Sequence, residues 1–264
     1  PLWYVILASI TDPAIVNSGK FLLVPTGLYV SGYKEAFDYP QLWDGYKCSI
    51  IYTLVGVVVA LVATIPGAYA LSRRDMAGRK GIMFLFTFTM FFNGGMIPLY
   101  LTVKAINIYD TLWAIVLPIG VSVYNLIVCR SFFEANLPLE LLEASKLDGC
   151  SDFGFFFKIA IPLSSTIIAV MVLFYATGLW NIYFNAIMFL QAEDKMPLQV
   201  VLRNLILSNQ LTIGASGAEL VEKQKLIDQL KYVIVTLAAF PLVIVYPFVQ
   251  KYFAKGVMVG AVKG

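Results

Sequence analysis

Between Leu137 and Leu163 the chain concentrates side chains that could do chemistry: Glu140, Glu143, Lys146, Asp148, Cys150 and Ser151, then a run of phenylalanines. Paired carboxylates with a lysine could move protons or dock a charged partner. Catalysis lacks its usual helpers. The 264 residues contain no histidine, which removes the commonest metal ligand and the usual general base near neutral pH. Cys48, Cys129 and Cys150 are too far apart for a CxxC metal site and odd in number for a disulfide framework. No serine sits in a nucleophile elbow, so a membrane-embedded hydrolase has no support. The carboxylates are therefore read as a docking surface.

The elements that must position them are short. Leu137-Pro138 predicts a helix start, because a proline in the first turn lacks only an N–H that would be unpaired anyway. Gly149 predicts the stop, in the left-handed conformation of a C-terminal cap. At 100° per residue Leu139, Leu141 and Leu142 share one side, and Glu140, Glu143 and Leu147 the other. Ser151 predicts the N-cap of a second short helix with Phe153, Phe156 and Phe157 on one face at i, i+3, i+4. These rings either pack on the protein's own helix ends or face a partner, since a solvated run of them would be an exposed apolar patch.

The surroundings are lipid-soluble. Residues are 59% hydrophobic and only 13% charged, about half the charge of a soluble domain, which places the chain among polytopic membrane proteins. An all-α fold follows. A bilayer core of ~30 Å takes ~20 apolar residues per helix, and six spans are expected at about 1–10, 48–71, 81–103, 112–129, 163–190 and 230–249. The first is short, and the chain opens at Pro1 without a methionine, so the start of that span is expected to be missing. Thr11 to Lys47 reads as an exposed loop. Arg73, Arg74, Arg79, Lys80, Arg130, Lys146, Lys158, Lys251, Lys255 and Lys263 fall on one side by alternation, which the positive-inside rule makes cytoplasmic. Both termini then lie inside, 132–162 is a cytoplasmic loop and 191–229 an outer one. The net charge of +3 offers nothing to nucleic acid.

Glu143-Ala144-Ser145, Gly149 three residues on, and Ile159-x-Ile161-Pro162 nine residues further resemble the EAA motif of permease subunits in bacterial ABC importers, where the pattern is E-A-A, three residues, G, nine residues, I-x-L-P. Asp148-Gly149 matches the sugar importers. Ser145, Cys150 and Ile161 depart from the usual alanine, alanine and leucine without removing the charge or the turn. Asn93-Gly94-Gly95-Met96-Ile97-Pro98 and the closing stretch from Gln250 resemble the MalG-like carbohydrate branch that serves aldouronate, lipoprotein-type and alginate importers.

The resemblance implies a type I importer permease fold in the bacterial inner membrane, carrying an oligosaccharide or polysaccharide, including acidic ones. It implies a second homologous permease, two ATPase subunits and an extracytoplasmic binding protein as partners. Glu143 to Gly149 would seat in the ATPase, the C-terminal tail would reach the ATPase dimer interface, and the outer loop would enter the binding protein's cleft or simply cover the outer face. ATP and Mg would belong to the ATPase. Consistently, no GxxxxGK[ST] phosphate loop occurs here, so this chain is expected to be non-catalytic.

Polar residues inside the apolar blocks are candidates for the substrate pathway: Asn93, Tyr124, Asn125, Trp180, Asn181, Tyr183 and Asn185. Amides and aromatic rings suit a saccharide, and the same residues could instead pack helices together. Gly214-Ala-Ser-Gly217 is expected to be flexible. An ion-coupled secondary transporter is the alternative, disfavoured because ionisable residues are essentially missing from the span interiors.

Overall fold

The computed structural model describes residues 2–19, 24–211 and 218–261, with side chains for all of these except 210–211, 218–220, 248–249 and 251–261. Pro1, the Gly214–Gly217 stretch and Lys263 lie outside the described residues. The described chain is helical apart from one isolated antiparallel bridge, Thr11 to Leu28. It divides into two compact units, Pro1–Ile50 with Asn181–Tyr246, and Ile51–Trp180 with Pro247–Gly264.

The first unit holds α1 (Leu2–Ile10), α2 (Pro13–Asn17), α3 (Ser31–Phe37) and the first part of α4 (Pro40–Ser72). The segment read as a loop from Thr11 to Lys47 is therefore largely helical. Local caps explain this: the Asp12 carboxylate accepts from Ala14 N at 2.9 Å, and Pro13 occupies the first position of α2. Ala36 and Leu42 are fully buried, and Phe37 stacks on Trp43 at 5.9 Å. Its glycines and prolines punctuate helices here rather than replace them.

Later in the same unit come α13 (Phe184–Phe189), α14 (Leu198–Leu211) and most of α15 (Ala218–Ala261). The stretch 191–229 thus includes a 14-residue helix. One face of α14 (Leu198, Val201, Leu202, Leu205) is buried. It approaches α4 so closely that a Cβ on Gly45 would lie 3.0 Å from Val201. Ser49 Oγ accepts from Leu198 N at 2.8 Å at the same contact.

Gln229 completes this unit. Its buried amide donates to the carbonyls of Ser9 and Tyr29 and accepts from Gly32 N at 2.7 Å, stitching three distant segments together.

The second unit is built from broken spans. Among the described residues of the whole chain, two helical stretches are long and apolar enough to cross a membrane, Pro40–Ser72 and Val221–Pro247, and up to five crossings result if three bent pairs each count as one. α5 (Arg79–Phe91) and α6 (Met96–Ala105) meet at 114° across Asn93-Gly94-Gly95, where Gly95 takes a φ of +82°. α7 (Leu112–Val116), extended by a 3-10 turn to Ile119, meets α8 (Val123–Asn136) at 49°. α12 (Ser165–Trp180) ends before Asn181, so residues 163–190 are not one continuous helix.

One buried cluster joins its helices. Ala60, Ile65, Ala68 and Leu71 of α4 pack with Leu126, Cys129 and Phe133 of α8 and with Ile167, Met171 and Tyr175 of α12. The same cluster continues into Leu142, Phe155, Phe156 and Ala160, which belong to the polar segment between spans.

Candidate coupling site

The segment after α8 folds as a two-helix hairpin. α9 (Leu139–Leu147) starts behind Pro138, whose φ of −66° and ψ of 151° put it at the N-cap. Glu140 in the first turn and Lys146 in the last complement the helix dipole. Leu142 and Ser145 point inward, and the Ser145 hydroxyl donates to Leu142 O at 2.7 Å. That bond lets a serine stand where the motif usually has alanine.

Glu140, Glu143, Ala144, Leu147 and Asp148 are exposed, Leu147 by 90%. Leu139 is exposed as well, so the inward contact of the helix rests on Leu142, with Leu141 half-buried.

Gly149 takes a φ of +77° and closes the helix. Its N–H donates to Lys146 O at 3.0 Å, and Cys150 N donates to Ser145 O at 2.9 Å, pairing carbonyls the helix end would leave open. A Cβ there would meet nothing within 4 Å, so glycine is needed for its backbone angle and not for space. Ser151 then caps α10 (Asp152–Phe155), its Oγ accepting from Gly154 N at 3.1 Å.

The phenylalanines do not share one face. α10 runs directly into a π-helical turn, Phe156–Ala160, before α11 (Ile161–Leu163). The wider turn shifts the register, so Phe156 is buried with Phe155 while Phe153 and Phe157 stay 79% and 62% exposed. Tyr69 of α4 receives the inner pair, its ring centroid 4.9 Å from Phe156 and 6.4 Å from Phe155, with Phe133 edge-on at 5.7 Å.

Charges tie the hairpin to the turn that follows α4. Arg73 donates to Asp152 Oδ1 at 2.6 Å and, through Nε, to Asp75 Oδ1 at 2.9 Å. The Arg73 hydrogen bond holds the Asp75 carboxyl at about 2 and pulls Asp152 below its ordinary value. Arg79 and Arg130 converge on Glu134 at 2.6 and 2.7 Å, and Arg130 Nε also donates to Leu71 O at the end of α4.

Sequence reasoning gave these arginines a purely topological role and passed over Tyr69, Phe155, Asp75, Asp152 and Glu134. An arginine cluster directly after a long apolar helix was the available signal, because cations cap open carbonyls. Between these groups lies a cavity of about 520 Å³, lined by Tyr69, Arg73, Arg79, Glu134, Pro138 and Glu140 among others.

The sequence pattern of binding-protein-dependent transport system inner membrane components matches residues 49–259, a range that contains the whole hairpin. The chain belongs to this family. Over 269 residues the permease is 40% identical to the Bacillus subtilis (strain 168) polygalacturonan/rhamnogalacturonan transport system permease protein YtcP, covering 100% of this chain and 92% of that one. It is also 40% identical to protein LplC of the same organism, over 100% of this chain and 89% of the relative. Among solved structures, it resembles a chain from the crystal structure of a bacterial ABC transporter involved in the import of the acidic polysaccharide alginate. The TM-score is 0.81 at 33% identity, over 96% of this chain and 90% of that one.

Permeases of this family are non-catalytic membrane components, and the ATPase is a separate subunit.

The pathway residues fall in several places. Asn93 Oδ1 accepts from Gly95 N at 2.9 Å, shaping the α5–α6 break. Tyr124 is exposed and Asn125 buried at the start of α8. Trp180 is buried at the end of α12. Asn181 is exposed, while Tyr183 and Asn185 are half-buried around the start of α13, where Arg203 lies 5.9 Å from the Tyr183 ring centre. Tyr124 and Asn125 are consecutive in the first turn of α8.

Proposed function

We propose that this permease subunit imports an oligosaccharide derived from an acidic polysaccharide, and that its α9–α10 hairpin couples the transport step to an ATPase. The chain is a permease component of a sugar ABC importer. Support for an acidic cargo comes from the relatives: polygalacturonan and alginate are both uronate polymers, and both likenesses run over nearly the whole chain. Family membership also decides against an ion-coupled secondary transporter.

This shared buried cluster carries the coupling reading. The hairpin's buried Leu142, Phe155 and Phe156 share a core with α4, α8 and α12. A force applied to exposed Glu140, Glu143, Leu147 and the two outer phenylalanines therefore moves those helices as a packed body, since close-packed interiors transmit strain. The chemistry of ATP and Mg takes place on the ATPase, and this chain supplies the joint.

In this reading the partners are a second homologous permease, two ATPase subunits and an extracytoplasmic binding protein. The inner membrane is crossed six times with both termini cytoplasmic. The test is uptake of trigalacturonate by proteoliposomes containing the complete importer and its binding protein, with ATP inside. Wild-type uptake supports the reading, and no uptake of this or any other uronate oligosaccharide sinks it.

A further inference from the structure

At the end of α6 a lysine is held between two phenol rings, away from the hairpin and outside the residues proposed for the pathway. Lys104 Nζ lies 4.8 Å from the centre of the Tyr100 ring and 4.9 Å from that of Tyr109. The rings meet edge to face, 5.7 Å apart. Tyr100 and Lys104 share a face of α6 because they are four residues apart. Tyr109 arrives by a turn folded back on the helix end, with Asn107 N donating to Lys104 O at 3.0 Å and Ile108 N to Val103 O at 3.3 Å.

That turn is made in an unusual way. Among the described residues, Asn107 and Asp110, on either side of Tyr109, are the two non-glycine residues with positive φ, +57° and +56°. Side-chain-bearing residues seldom adopt this conformation, and it recurs where a site needs a backbone held in place. Here it fixes Tyr109 over the ammonium.

From this geometry we infer that Tyr100, Lys104 and Tyr109 form a receiving site for a uronate residue at the outer mouth of the permease. The chemistry fits each part. The two phenol rings and a hydrogen bond with the Tyr100 side chain position the ammonium without neutralising it. Lys104 is exposed, and an ammonium bonded to one phenol keeps further N–H donors with which a sugar carboxylate can pair. By the alternation of charged loops, the end of α6 faces the side on which the binding protein delivers cargo. A neutral sugar would not gain this ion pair.

This assignment rests on the acidic-cargo reading, and one experiment separates the two. Uptake of trigalacturonate and of its fully methyl-esterified form is measured in proteoliposomes with the complete importer, using the wild type, Lys104→Gln and Tyr109→Leu. Basal ATPase rate is recorded for each. The site requires Lys104→Gln to lower trigalacturonate uptake about five-fold or more, with ester uptake and basal ATPase within about two-fold. Tyr109→Leu should shift the same ratio in the same direction.

Equal losses for acid and ester would make the cluster a membrane-surface anchor and overturn the site, as would unchanged acid uptake in Lys104→Gln. If the wild type carries no uronate oligosaccharide at all, the acidic-cargo reading falls first and takes the site with it; if it carries another uronate oligomer instead, the acid-against-ester comparison is made with that one.

Discussion

Arg73 lies 2.6 Å from Asp152, joining the turn that leaves α4 to the first residue of α10. Their separation in sequence hides the contact, and it fastens the proposed docking hairpin to a span.

Asp152→Asn should leave the permease folded and inserted while weakening the joint. An ion pair this exposed is worth ~0.2–1 kcal/mol, so sugar carried per ATP should fall by no more than about five-fold. Simultaneous measurement of uptake and ATP hydrolysis checks this. An unchanged ratio would remove Asp152 from coupling.

The same pair sets a pH expectation. Asp75 and Asp152 have folded pKa values below their ordinary ones, so as pH falls the unfolded chain takes up protons first. Their stabilisation is complete above the ordinary carboxylate range and disappears as pH drops towards about 2. The coupling ratio of the wild type should therefore be flat from about pH 5 to 8 as far as these groups act. A step in that window which Asp152→Asn abolishes would contradict the assignment.

Gly149→Asp should abolish transport and loosen the ATPase without preventing insertion. Space around a Cβ is open and aspartate tolerates a left-handed φ, so its damage comes from a new charge on the exposed docking turn. An ordinary residue would instead meet the backbone angle, at about 1–2 kcal/mol. Asparagine tolerates left-handed φ, and Gly149→Asn should retain more activity than Gly149→Ala. Co-purification of the ATPase with each variant gives the order, and equal behaviour of Asn and Ala would refute the conformational account.

Gln229→Leu should destabilise the first unit. It would strip partners from Gly32 N and from the Ser9 and Tyr29 carbonyls, each unpaired buried group costing about 1–3 kcal/mol. Thermal unfolding in detergent should shift down by several degrees, and a wild-type Tm would mean water replaces the amide.

Gly56→Ala tests the packing of α4 on α12. The new methyl would sit 2.6 Å from Leu179 Cδ1, an overlap costing about 1–3 kcal/mol. Adding Leu179→Ala should relieve part of the loss. If the two losses simply add in thermal melts, the residues are not in contact.

The hairpin was readable because its signals are local: Pro138, Gly149 and Ser151 each act within a few residues. The burial pattern of its phenylalanines was not, since a face drawn at 3.6 residues per turn fails where the π-turn at Phe156 widens the helix. Long-range partners such as Tyr69 and Phe156, or Arg73 and Asp152, leave no spacing to detect. Thr11–Lys47 misled for another reason. Its short helices bury Ala36 and Leu42 through tertiary contacts, which glycine and proline content cannot reveal.

The shared core of the hairpin bears on how portable it is. A peptide copied from residues 137–163 would leave Tyr69, Phe133 and Arg73 behind, and a nine-residue helix alone is marginal in water. Such a peptide would be a poor competitor for the ATPase. If the hairpin is the docking element proposed above, a graft between related permeases must carry matching residues on α4 and α8, because its buried side chains pack there.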